Sequence, residues 1–207
     1  MPAQVDFTLR PKTIETRLAD GAPVCLRPVR PSDEEAIEQG IRDLSDRSRY
    51  LRFFSSFRSA PPSVVERLSA ADGFDHIAWG AVMTGIDGEP PVAAGHAIRD
   101  AERPDTADLA IAVLDDFHHR GIARLLIAAL GLDCRHAALT QLRFEVLHEN
   151  KPAIALVKSL GARAEGKAGV VMTYSLDIAE MLGRLKAMPE PPGLEAVFSA
   201  FEGSDSA

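Results

Sequence analysis

The sequence predicts an α/β domain, and three observations carry that prediction. Residues 108–130, DLAIAVLDDFHHRGIARLLIAAL, pass from an apolar run to a helical stripe; two pairs of short strands with hairpin signals precede them; a second strand-then-helix pattern follows at 141–161. Within 108–130, Ala110, Ala112 and Leu114 fall on one face of an extended segment and Leu109, Ile111 and Val113 on the other. The strand is therefore apolar on both sides and belongs inside a sheet covered on both faces. Ile122, Leu125, Leu126, Ala129 and Leu130 then recur at i, i+3, i+4, i+7 and i+8, the buried stripe of a helix. The link HHRGIA sets Gly121 at the helix start, where a missing side chain lets a ligand approach the free N–H groups of the first turn. Those donors, the positive end of the helix dipole, and the charges of Arg120 and Arg124 make an anion site.

From the start of the chain, residues 13–18 and 24–27 read as strands joined across Asp20-Gly21, a hairpin dipeptide, and Pro28 ends the pair. Ser32 followed by Glu35 is a capping box, and Ile37, Ile41 and Leu44 repeat at helical spacing, so a helix is expected over about 33–44. Ser45-Asp46 restarts a helix through RSRYLRFF, whose Tyr50, Phe53 and Phe54 are expected to pack in the core rather than to meet a substrate. Pro61-Pro62-Ser63 begins a short third helix ending near Ala71. Strands at 76–84 and 92–98 are parted by Asp87-Gly88 and two prolines. Residues 101–106 are a polar loop before the central strand and helix.

Beyond them, residues 141–147 alternate as a strand, Asn150 caps a helix striped by Ala153, Leu156, Val157 and Leu160, and Gly161 stops it. A last strand is expected at 170–175. Ile178, Met181, Leu182 and Leu185 stripe one more helix, to be buried on the body or on a second copy of the chain, with a homodimer the favoured expectation. From Pro189 the chain turns rich in Pro, Glu, Gly and Ser, with only Leu194, Val197, Phe198 and Phe201 able to dock. The expected division is one domain over 1–176, its core about 22–176, then a C-terminal helix and acidic tail over 177–207. There is no internal repeat.

A chain of 207 residues can bury about 70–75% of its unfolded surface without staples. The formal net charge of −7 argues against nucleic acid and anionic membranes as partners, since both select excess Lys and Arg. Cys25 and Cys134 form no metal-site spacing, so no metal is expected and a reduced cytoplasmic protein is the simple reading. The first residues lack the apolar core of a signal peptide, and no apolar run reaches the roughly 18 residues of a membrane span.

Two segments resemble a known family. DDFHHRGIARLL resembles the pyrophosphate-binding motif of the GNAT acetyltransferase superfamily, Q/R-x-x-G-x-G/A, and LHENKPAIALVKSLGA resembles its second motif, N-x-x-A-x-x-L-Y-x-x-x-G-F, in the family's order and spacing. LRPVRPSDEE followed by LSDRSRYLRFF is similar to the opening of the bacterial Pat-type protein lysine acetyltransferases. The resemblance covers roughly 24–175. It implies the GNAT fold, a mixed, mostly antiparallel sheet flanked by helices, splayed between the strands ending at Leu114 and Leu147 to admit acetyl-CoA as cosubstrate. It also implies direct transfer to an amine, first a protein lysine and second a small cationic amine. Pantetheine would pair with main chain at Val113 and Leu114 and with Asn150 and Ala153 on its far side, and the diphosphate would sit on His118, His119, Arg120, Gly121, Ile122, Ala123 and Arg124.

The sequence departs from the family at four places. His118 stands where Gln or Arg is usual, Ala123 is the permitted alternative to Gly, Ala162 replaces Phe, and Val157 replaces the Tyr usually cast as the acid for the departing thiolate. Tyr50, Tyr174 or a water could take that role. Asp108 stands where Pat-type enzymes carry Glu and is the implied general base, one methylene shorter and so expected to work through a bridging water. Glu145 and Asp105 are weaker substitutes. The short Asp108 and Val157 also leave open a non-catalytic acyl-CoA binding module.

Overall fold

The computed structural model describes residues 10–55, 57 and 59–202. Strand β5 (Thr106–Val113) runs through the interior of an eight-stranded sheet, as its two apolar faces require. With β1 (Ile14–Arg17), β2 (Pro23–Pro28), β3 (His76–Met83), β4 (Pro91–Arg99), β6 (Gln141–Leu147), β7 (Arg163–Ala168) and β8 (Val171–Asp177), the order is β1-β2-β3-β4-β5-β6-β8-β7. Every neighbouring pair is antiparallel except β5 and β6, which are parallel. This is the mixed, mostly antiparallel sheet expected.

Helix α4 (Ile122–His136) covers the face formed by Leu109, Ile111 and Val113, and its Leu130 presses on the space left by Gly95 of β4. The stripe was expected on one side only, yet every residue from Leu125 to Cys134 is buried. The reason is a third layer. Helices α6 (Ile178–Lys186) and α7 (Leu194–Glu202) lie on the outer side of α4, with Met181 and Leu182 of α6 packed where Gly131 has no side chain. Ile178, Met181, Leu182 and Leu185 are thus buried on their own domain, and their stripe gives no argument for a second subunit. Leu194, Val197, Phe198 and Phe201, expected only to dock, form the buried side of α7, where Phe201 lies 5.8 Å from Trp79. Each such fully buried side chain contributes about 1.5–3 kcal/mol.

The opposite face of β2 to β5 carries α1 (Glu34–Asp43), α2 (Asp46–Phe53) and α3 (Pro62–Ser69), around a smaller cluster of Ile41, Ala60 and Leu68. The expected Ser32 to Glu35 box is not what starts α1. Instead Asp33 closes a 3-10 turn by accepting the Arg30 amide at 2.8 Å while both Nη atoms of Arg27 reach its carboxylate at 2.7 and 2.9 Å, a charged pairing stronger than a hydroxyl cap. The aromatic trio divides: Phe53 packs in this cluster, whereas Tyr50 and Phe54 are exposed. Strand β7, every residue of it exposed, has no apolar alternation to announce it; it forms a hairpin with β8 at the sheet edge.

Candidate functional site

Strands β5 and β6 pair only from Thr106 to Asp108 against Gln141 to Arg143. Beyond that point they part, and a cleft of about 810 Å³ opens between them, bounded by the turn into α4, by α5 (Lys151–Ser159) and by the side of α2. Its floor has a polar edge that follows from the ladder on the other side of β5. Leu114 N–H donates to Val92 O at 2.9 Å, and hydrogen-bonded pairs alternate along an antiparallel ladder. Ala112 and Ala110 therefore also pair toward β4, and the peptide groups of Ile111 and Val113 face the gap. Leu114, expected to offer main chain to a ligand, has its amide engaged with β4 and lines a different cavity; Ile111 lines the cleft instead.

At the wide end stands the entrance to α4. Gly121 is the N-cap with φ of 86°, and its carbonyl accepts the amides of Arg124 and Leu125 at 3.0 and 3.2 Å. The first-turn amides of Ile122 and Ala123 have no intrahelical acceptor and point their dipole at the cleft. Arg124 lines the cleft, and its Nε is buried without a partner among the described residues. An unmatched buried donor beside free amides fits a phosphate group. His118, His119, Gly121, Ile122, Ala123, Asn150 and Ala153 all line the same space.

Three assignments change in detail. Arg120 is turned away: its Nε bonds Asp20 at 2.7 Å and its guanidinium lies 4.9 Å from the Phe117 ring centroid, so it fastens the turn to the β1–β2 hairpin. His118 donates Nε2–H to Val113 O at 3.0 Å, capping the strand's exposed carbonyl rather than offering that donor to a ligand. Gly121 is required by its left-handed backbone and by Pro191, whose ring atoms lie 2.7–3.2 Å from where a Cβ would stand and fill the place of a side chain.

Helix α2 is fixed over the cleft by Asp115, which accepts the Ser45 amide at 3.1 Å and the Ser45 and Ser48 hydroxyls at 2.8 Å each. Burial opposes the Asp115 charge, but the Ser45 and Ser48 donors hold its carboxyl below the usual carboxylate range. Arg47 of α2 reaches Glu149, ahead of α5, at 3.6 Å, so an exposed ion pair spans the two walls.

At the narrow end, Asp108 shares the sheet face of Ala110 and Ala112, just beyond the cleft lining, and its carboxylate is held by Arg143 of β6 through Nε at 2.6 Å and Nη2 at 3.0 Å. That pairing raises the Arg143 pKa. Glu145, two residues along β6, lines the cleft itself. Asp105 does not; its carbonyl accepts the amides of Thr140 and Gln141 and ties a loop. Val157 forms part of the wall, while neither Tyr50 nor Tyr174 does, Tyr174 being buried opposite Phe144 in β8. Arg143 and the Arg47 to Glu149 pair were not visible in the sequence. An alternating strand shows which side chains share a face but not which strand lies beside it.

A family model described as Acetyltransferase (GNAT) family matches residues 49–162, a span running from within α2 to just past α5 and containing most of the cleft walls. The Acetyltransferase Pat of Mycolicibacterium smegmatis is 32% identical over 149 residues, 72% of this chain and 44% of its own length. The chain thus spans less than half of that curated relative. Among solved structures, the GNAT domain of S. lividans PAT matches with a TM-score of 0.73 at 24% identity, over 80% of this chain and 96% of that one. A cAMP-binding acyltransferase from Mycobacterium smegmatis matches with a TM-score of 0.59 at 26% identity, over 93% of this chain and 54% of that one. With the splayed strands, the turn at Gly121 and the family model converging on one cleft, the chain belongs to the GNAT family of acetyltransferases.

Proposed function

We propose that this acetyltransferase uses acetyl-CoA and delivers the acetyl group to the side-chain amine of a protein lysine. The observation that carries the cofactor half is the juxtaposition, along one cleft, of outward main chain at Ile111 and Val113 with first-turn amides and the unpartnered Arg124 Nε. Acetyl-CoA supplies an activated thioester. The chain's own residues bind its diphosphate at Gly121 to Arg124, receive its pantetheine along β5 opposite Asn150 and Ala153, and handle a proton at the narrow end. The lysine acceptor is supported by the likeness to a Pat acetyltransferase, and buried Cys25 and Cys134, both free thiols, suit a reducing cytoplasm.

In the transfer, the amine nitrogen attacks the thioester carbonyl, the new C–N bond forms as the C–S bond breaks, coenzyme A leaves as thiolate, and the second proton of the acylated nitrogen passes to solvent, from which the thiolate is free to reprotonate. A lysine has a pKa of about 10.4 and is mostly an ammonium near neutral pH, so it must first lose a proton. Asp108 takes that proton through a water, with Arg143 fixing the carboxylate. Val157 supplies no acid, and a thiol of ordinary pKa near 8.5 leaves acceptably without one. A small cationic amine is the second acceptor class. Acetyl-CoA consumption measured with lysine peptides and with small amines separates the two; turnover confined to small amines removes the lysine reading, and tight coenzyme A binding without turnover on either removes catalysis.

A further inference from the structure

Two arginines three residues apart on α2 have opposite surroundings. Arg49 is buried and occupied: its Nε donates to Ile41 O at 3.1 Å, its Nη2 to Arg42 O at 3.2 Å and Leu44 O at 2.5 Å, and its Nη1 to Asp46 at 2.9 Å. Arg52 is half-buried, and among the described residues it makes no hydrogen bond or ion pair. Its guanidinium carbon sits 4.7 Å from the centroid of the Phe53 ring.

Arg52 stands on the wall between two spaces. One is the acyl-transfer cleft; the other is a cavity of about 90 Å³ beneath α1 to α3, and Leu44, Arg52 and Ala112 line both. The smaller cavity is largely apolar, with Val29, Ile37, Ile41 and Val92 among its walls. Asp33, the carboxylate that lines it among the described residues, is already held by both Nη atoms of Arg27. His96 closes it from β4, its Nδ1 bonded to His76 Nε2 at 2.9 Å. Burial, and then the charge of Arg52, push the His96 pKa down to about 3, so the ring is neutral and answers no charge. Burial, and then the like charge of Arg67, pull Arg52 itself down to about 10. A half-buried guanidinium without a counter-ion among the described residues keeps its fork free for a planar or tetrahedral anion, and the small apolar cavity beside it suits a carboxylate on a short stem better than a bulky phosphate ester.

We infer that Arg52 anchors a subsite for a short carboxylate that branches from the cleft beside Ala112. This rests on reading the cleft as the acyl-CoA site. The ligand carries its carboxylate on an apolar stem of a few heavy atoms, because the cavity beyond Arg52 is apolar and small. Two sources share that chemistry: an acyl group ending in a second carboxylate, or an acceptor amine that bears one, as a free amino acid does.

Butyrate is the direct probe, titrated calorimetrically into the free chain beside butyramide as its neutral counterpart. Butyrate should bind at millimolar concentration and butyramide at least tenfold more weakly; Arg52→Gln should abolish the difference and Arg52→Lys should keep part of it, with thermal melts confirming folded variants. Equal binding of the two probes, or a preference that survives Arg52→Gln, overturns the inference. Succinyl-CoA against acetyl-CoA, and an amino acid against its amide, then locate the source. A preference of at least tenfold in kcat/KM, lost in Arg52→Gln, must appear in one of these comparisons, and its absence from both also overturns the subsite. Coenzyme A titrated in the same calorimeter keeps the two readings apart: wild type that binds butyrate but not coenzyme A removes the acyl-CoA reading and leaves the anion anchor.

Discussion

The two ends of the cleft are made of different materials. The wide end is main chain: amides of the first turn of α4, a left-handed Gly121 and the outward peptide groups of β5, with Arg124 as the main side-chain contribution. The narrow end is side chain: Asp108 clamped by Arg143, Glu145 on the wall, and Val157 where the family's second motif has a hydroxyl. Backbone geometry tolerates substitution at most positions around it, so His118 and Ala123 depart from the motif while the left-handed Gly121 still opens α4 toward the cleft. Side-chain chemistry has no such tolerance, and there each departure redistributes a task. The difference implies that substitutions at the narrow end change turnover, whereas those at the wide end change cofactor affinity or stability.

The sharpest way to break that division is at the carboxylate proposed as the base. Asp108→Asn keeps the shape of the strand end and removes the basic oxygen, so the chemical step should fall by about 10²–10⁴-fold while coenzyme A affinity holds. The loss should shrink as pH rises, since solvent then supplies more free amine. Glu145→Gln should cost less than about tenfold. Single-turnover kinetics across pH check both, and the reverse ranking would move the base to Glu145, which has the advantage of lining the cleft directly.

The competition between neighbouring carboxylates Asp108 and Glu145 marks where the sequence stops being legible. The central strand, its flip into α4 and the Asn150 cap were readable because each depends on local periodicity or on a side chain bonding a few residues away; Asn150 does accept the Ala153 amide at 3.2 Å. Strand β7 was not, because an exposed edge strand has no apolar face to write into its pattern. Helix α7 was half-readable: Leu194, Val197, Phe198 and Phe201 hold helical spacing, but the Pro- and Gly-rich entry masked it. The Arg120 to Asp20 and Arg143 to Asp108 pairs join residues 100 and 35 positions apart, and no local pattern carries such a partner.

At the wide end, Gly121→Ala tests whether backbone conformation is the requirement. An alanine must adopt a left-handed φ and push on Pro191, so stability should fall by about 2 kcal/mol or more, and with it the melting temperature by roughly 4–8 °C. Coenzyme A binding should weaken only in so far as the turn moves. A melt unchanged from wild type would show that the Pro191 segment yields easily and that the glycine serves the ligand alone.

Arg124→Gln is the corresponding side-chain test. If the buried Nε is the one strong side-chain donor to a phosphate, coenzyme A affinity should drop about tenfold, or 1.4 kcal/mol, and its dependence on salt should weaken. Dephosphorylated pantetheine should bind wild type and variant alike. Equal loss for both ligands would place Arg124 along the pantetheine instead of the diphosphate.

The smallest effect is expected where the family resemblance is most visibly broken. Val157→Tyr restores the hydroxyl that the second motif usually carries, on a wall residue that is almost fully buried, so some stability should be lost to overpacking, about 1–3 kcal/mol. In the folded fraction the gain in rate should stay below about tenfold, because general acid catalysis is worth least when the leaving group is a thiol that ionises near pH 8.5 unaided. Measured with acetyl-CoA and a saturating amine, any gain should grow below neutral pH and reverse above the pH at which the new phenol ionises. A gain of a hundredfold or more would mean that protonation of the leaving thiolate, and not deprotonation of the amine by the Asp108 to Arg143 pair, limits the wild-type reaction, and the weight of the chemistry would move from β5 and β6 to α5.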